Sequence, residues 1–173
     1  NWYSSRLWGN NWTSMQALKT PEKPTALVID DDPQILLLCS RGLERCGFTV
    51  LTASGLASAK NATTQRGQVV LLIVDVLLRA PAFRLPGQEA EKAANGIEAL
   101  PSLQQLYPRA VPLIISAYSK DELIAQGHDP RDLAFLQKPF DPPTLRRTVD
   151  ALLPGLAGKE GESADVGDDA WFD

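Results

Sequence analysis

Five short, largely apolar runs mark this chain: Ala26–Asp30, Phe48–Thr52, Val69–Val74, Val111–Ile115 and Leu133–Gln137. Four of them lack strict polar alternation, the pattern of strands covered on both faces. Helical spacing fills the intervals. Pro33 suits the first turn of a helix running to about Cys46 and stopping at Gly47, with Ile35, Leu38, Cys39 and Leu43 as its apolar stripe. A weaker, Ala-rich helix with a serine cap is expected from Ser54 to about Gln65. Asn95 is a good N-cap for a helix through Tyr107, with Pro101 as a point of kinking. Ser119 to Glu122 has capping-box spacing and opens a short helix ending near Gly127. Asp141-Pro-Pro opens the last helix, through Leu153. Strands and helices in alternation imply a doubly wound parallel sheet with right-handed crossovers. Chemistry in such sheets sits at the carboxyl ends of the strands.

The flanks read differently. Residues 1–24 hold three of the four tryptophans and no regular period, and Met15 is the expected natural start. Residues 154–173 form an acidic stretch expected to be a solvated tail. One connection, about 79–94, is too long for an ordinary loop after a strand and is expected to be a lid or an unstructured insertion. The remaining stretch, 25–153, is the size of one domain.

Charge narrows the function classes. Of the net charge of −4, residues 1–25 carry +2 and residues 154–173 carry −5, leaving about −1 for the middle. No basic stripe suggests nucleic acid as a partner. No apolar run reaches membrane-spanning length and no signal-peptide pattern opens the chain, so the expected compartment is the cytoplasm. Cys39 and Cys46, seven residues apart on one helix, would be about 10 Å apart, too far for a disulfide. They read as buried thiols. His128, the only histidine, lies in a Gly-His-Asp-Pro turn expected at the surface.

The strand ends carry the chemistry. The first run ends in Asp30-Asp31-Asp32, and packed carboxylates repel unless a cation joins them. Hard oxygen ligands suit Mg²⁺. The third run ends in Asp75, the fourth in Ser116 and the fifth in Lys138-Pro139-Phe140. The flavodoxin-like strand order 2-1-3-4-5 brings these ends together. Three carboxylates, a hydroxyl and an ammonium suit phosphoryl transfer to a carboxylate. Asp75 is the better nucleophile and the Asp30/Asp31 pair the better metal holder. Asp32 belongs to the helix start.

This constellation resembles the receiver domain of two-component response regulators. Leu27-Val-Ile-Asp-Asp-Asp-Pro33, Val70–Asp75, Asn95-Gly-Ile-Glu98, Pro112-Leu-Ile-Ile-Ser-Ala117 and Phe135-Leu-Gln-Lys-Pro-Phe140 carry the resemblance. It covers about residues 25–153. The resemblance implies that Asp75 accepts a phosphoryl group from a sensor histidine kinase or a phosphotransfer protein. It implies Mg²⁺ held by Asp31, Asp75 and the Leu77 carbonyl, with Asp30 acting mainly through water. Lys138 would pair with Asp75 or its phosphate, and Ser116 would move toward that phosphate. Phe135 would turn inward with Ser116, the bond before Pro139 would be cis, and helix 4, strand 5 and helix 5 would form the surface for an output partner. On that reading the chain is a stand-alone signalling module and not an enzyme. Two departures stand out: the 79–94 insertion, and the lack of an output domain after the last helix.

Two other readings share parts of the pattern. A haloacid-dehalogenase-like phosphatase would use Asp30 of Asp30-x-Asp32 as nucleophile, but Pro33-Gln34 lacks the usual following Thr or Val. A degenerate receiver acting as scaffold would not need the intact acid pair, Asp75, Ser116 and Lys138.

Overall fold

The computed structural model describes residues 23–62, 69–79, 94–130 and 132–156. The expected N-terminal extension up to residue 22, the end of the second helix at 63–65, the insertion from 80 to 93 and the tail from 157 lie outside the described residues. The elements are β1 (Thr25–Ile29), α1 (Pro33–Arg45), β2 (Thr49–Ala53), α2 (Leu56–Asn61), β3 (Val69–Asp75), β4 (Leu77–Leu78), β5 (Ala94–Asn95), α3 (Gly96–Leu106), β6 (Val111–Ser116), α4 (Lys120–Ala125), β7 (Ala134–Gln137) and α5 (Pro142–Leu152). The five long strands form one sheet in the order β2-β1-β3-β6-β7, with every pairing parallel. This is the expected flavodoxin-like order 2-1-3-4-5, counting β6 and β7 as the fourth and fifth long strands.

Alternation along the strands splits the core in two. Leu27, Ile29, Leu72, Val74 and Ile114 face Ala59 of α2, Leu100 and Leu103 of α3 and Leu123 of α4. Ala26, Val28, Leu71, Ile73, Leu113 and Ile115 face Cys39 and Leu43 of α1 and Leu145 and Val149 of α5. A strand buried on both faces has no polar face to show, which is why the runs read as nearly continuous apolar stretches. Neither cysteine is in a disulfide, and both are buried. Burial pushes the Cys39 thiol up to about 12, with the Asp30 carboxylate adding to it, so it is inert at neutral pH.

Helix starts follow their caps. Asp32 accepts from Gln34 N at 2.8 Å ahead of Pro33 in α1. Asn95 Oδ1 accepts from Ile97 N at 2.8 Å, and Ser119 and Glu122 form the reciprocal box that opens α4. α3 runs unbroken through Pro101.

Two expectations change, and a short ladder joins the elements already named. Ser54 is not the cap of α2: the helix starts at Leu56 after Gly55, and the Ser58 hydroxyl bonds back to Gly55 instead. His128 is half-buried rather than on the open surface, with Nδ1 3.8 Å from Glu98 Oε1. The connection after β3 is tied at its base: Leu77 and Leu78 pair antiparallel with Asn95 and Ala94. Among the described residues no helix is long and apolar enough to cross a membrane.

Candidate functional site

Register assembles the site. Ile29 pairs with Val74, so Asp30, the next residue of its chain, lies beside Asp75. Asp75 pairs with Ile115, and Ser116 follows. Ser116 pairs with Gln137, and Lys138 follows, its N–H donating to the Ser116 carbonyl at 2.7 Å. Four strand ends thus deliver these side chains to the carboxyl edge of the sheet, with Asp30 and Asp75 level and Ser116 and Lys138 successively one residue further along the register. They open into a cleft of about 340 Å³, also lined by Asp31, Leu77, Arg79 and Tyr118.

Asp30 is fully buried, Asp75 is 5% exposed and Ser116 is 1% exposed. Such burial of polar groups is costly unless each finds a partner. Lys138 Nζ reaches Asp30 Oδ2 at 2.6 Å and Asp75 Oδ1 at 3.1 Å. Sequence reasoning paired Lys138 with Asp75; the structure gives its shorter bond to Asp30. The other Asp30 oxygen accepts from Asp32 N at 2.8 Å. Ser116 Oγ accepts from Tyr118 N at 3.1 Å.

Two carboxylates share one ammonium, and the charges respond. Burial pushes Asp75 up to about 6 from 3.8, opposed by the Lys138 charge and reinforced by Asp30. Burial likewise raises Asp30 against its bonds to Lys138 and Asp32. Burial alone would lower the Lys138 ammonium, but Asp30 and Asp75 outweigh it and hold the lysine charged.

Asp30, Asp31 and Asp75 each offer a carboxylate oxygen, and these atoms lie within 4.8 Å of one another. Three hard, anionic oxygens converging on a polar cleft fit a hard divalent cation such as Mg²⁺. The repulsion among them is the physical reason that a cation belongs there. Leu77 lines the cleft, and its backbone is held by pairing with Asn95.

Away from the cluster, Phe135 is half-buried on β7, packed against the core face that includes α4, with Lys120 Nζ 5.6 Å from its ring centroid. The Lys138-Pro139 peptide bond is cis.

Sequence reasoning missed two functional neighbours. Arg79 Nε bonds Asp31 Oδ2 at 2.9 Å. A cation four residues after Asp75 was visible, but its direction depends on the β4–β5 ladder, too short to be read. Gly96 was noted only as part of a motif. A Cβ there would collide with the Asp75 carbonyl oxygen and come within 2.7 Å of Val74 Cγ1.

Comparison with known proteins gives the same picture. A family model of the response regulator receiver domain matches residues 26–150. The alkaline phosphatase synthesis transcriptional regulatory protein PhoP of Bacillus subtilis is 29% identical over 128 residues, 73% of this chain and 47% of that protein. The chain therefore spans about half the length of this relative. Sporulation initiation phosphotransferase F of the same organism is 26% identical over 129 residues, covering 74% of this chain and 92% of that protein. Among solved structures, a response regulator protein from Burkholderia pseudomallei with a phosphorylated aspartic acid, calcium ion and citrate shares the fold. Its TM-score is 0.51 at 23% identity, covering 78% of this chain and 69% of that one.

Proposed function

This chain belongs to the response regulator receiver domain family, and from that premise we propose that it accepts a phosphoryl group on Asp75 from a histidine kinase or a phosphotransfer protein. The observation that carries the proposal is the register that sets Asp75 in one cleft with Asp30, Asp31, Ser116 and Lys138. The name of sporulation initiation phosphotransferase F, which the chain matches over most of that protein's length, supports a place in phosphoryl relay.

The residues divide the work. Above about pH 6 the Asp75 carboxylate is ionised and can attack phosphorus, forming an acyl phosphate as the bond to the donor breaks. Lys138 keeps a fixed positive charge beside it for the phosphoryl oxygens. Ser116, whose oxygen accepts from Tyr118 N, retains its hydroxyl proton for a phosphoryl oxygen. Asp30, Asp31 and Asp75, with the Leu77 carbonyl, would hold Mg²⁺. When bound, that ion supplies charge neutralisation for the phosphoryl oxygens.

The expected output is a change of surface. Ser116 ends β6 and Phe135 lies on the adjoining β7, whose Phe135 pairs with Ile114. Movement of Ser116 toward a phosphate would free space for Phe135 to turn inward, altering the face formed by α4, β7 and α5 where an output partner would dock.

Asp30 is a poor nucleophile, which weighs against the phosphatase reading: it has no exposed surface, and both its oxygens are bonded. The scaffold reading has no observation in its favour, because all the side chains of the phosphoryl-transfer set are brought together.

The test is incubation with acetyl phosphate, with and without Mg²⁺, read by intact mass. A phosphoryl adduct that requires Mg²⁺ and is lost in Asp75→Asn is expected, accompanied by NMR shift changes on α4, β7 and α5. An adduct that persists in Asp75→Asn would overturn the assignment.

A further inference from the structure

The carboxylate cluster already has a cation of the chain's own at its rim. Arg79 Nε donates to Asp31 Oδ2 at 2.9 Å, and 81% of the Arg79 side chain is exposed while only 18% of Asp31 is. Both line the cleft, the arginine on its solvent-exposed side. Asp31 has no bond to Lys138, whose bonds go to Asp30 and Asp75. Each anionic member of the cluster thus has a protein cation, and Arg79 serves the one that Lys138 does not reach. Its backbone is placed by β4, which pairs with β5 at the start of α3.

We propose that Arg79 is a tethered competitor for the divalent cation, holding Asp31 when the ion is absent and leaving it when the ion binds. This rests on the reading of Asp30, Asp31 and Asp75 as a divalent-cation site. Formal charge explains the competition. Three carboxylates with Lys138 and Arg79 sum to −1. Replacing the arginine by a divalent ion takes the sum to zero, while keeping both would leave an excess positive charge and a like-charge repulsion at short range. The guanidinium binds Asp31 through one N–H rather than a two-point fork, and it faces water, so the latch is weak enough to yield.

The experiment is calorimetric titration of the full chain with MgCl₂ at fixed ionic strength, comparing wild type, Arg79→Gln and Arg79→Lys, with circular dichroism as the check on folding. Arg79→Gln should bind Mg²⁺ about three- to tenfold more tightly than wild type, a gap that narrows as NaCl is raised. Arg79→Lys, which keeps the charge without the fixed N–H, should fall between the two. Equal affinity in wild type and Arg79→Gln, or weaker binding in Arg79→Gln, would overturn the competition while leaving the cation site standing. Absence of Mg²⁺ binding in wild type and in both variants would overturn the cation site and the latch together.

Discussion

At Asp75, burial and function pull against each other. The carboxyl is pushed up to about 6 from 3.8, chiefly by burial. A carboxyl raised in the folded state favours folding most when protonated. Its contribution is fully present below the unfolded value and is lost as pH rises through about 6. At neutral pH the ionised acid therefore works against the fold. Asp75→Asn should stabilise the metal-free protein at about pH 7.5 by roughly 1–3 kcal/mol, the upper figure being the free-energy equivalent of the interval from 3.8 to about 6. Thermal unfolding across pH checks this: the advantage of the variant should shrink between about pH 6 and 4. An advantage that does not change with pH would mean that something other than ionisation is responsible. At this scale the principal residues were legible, because Asp30, Asp75, Ser116 and Lys138 each directly follow or end an apolar run. The pairing of Lys138 with Asp30 was not legible, since 108 residues separate them and only the sheet order brings them together.

At the scale of elements, the start of α3 is pressed against the end of β3. Gly96 N donates to the Val76 carbonyl at 2.8 Å, and any side chain at 96 would strike the Asp75 backbone. Gly96→Ala should cost about 2–4 kcal/mol in denaturant unfolding, since backbone rather than a flexible side-chain tip must give way. It should also displace Asp75, lowering phosphoryl acceptance in the folded fraction. A variant as stable as wild type would show that α3 can retreat. Tyr107 joins α3 to α2: fully buried, its hydroxyl reaches the Ala59 carbonyl at 2.6 Å and the Ala62 carbonyl at 3.0 Å. Tyr107→Phe removes that donor while the Ala59 carbonyl keeps its bond from Ala62 N at 3.2 Å, so chemical denaturation should register a loss of about 0.5–1.5 kcal/mol. Caps with a side-chain oxygen were legible: Asp32, Asn95, Ser119 and Asp141 all act where their residue types suggested. The two-residue strands β4 and β5 were not, because a pattern of two positions has no period. They set the position of Arg79, so the missing element also hid the missing residue.

Across the whole molecule, a parallel sheet with helices on both faces turns sequence order into spatial order. Apolar runs covered on both sides gave the fold class directly, and the order β2-β1-β3-β6-β7 followed from the flavodoxin-like pattern of such sheets rather than from any single run. The adjacency of the strand ends converts four residues, spread from Asp30 to Lys138, into one cleft. The central claim is that this cleft makes Asp75 the phosphoryl acceptor. The most direct measurement is to treat the protein with acetyl phosphate and Mg²⁺, reduce the product with borohydride, and sequence the peptides by mass spectrometry. Reduction converts an aspartyl phosphate to homoserine, a permanent mark at the labelled position. The account predicts homoserine at position 75; homoserine at position 30, or at any position other than 75, would contradict it.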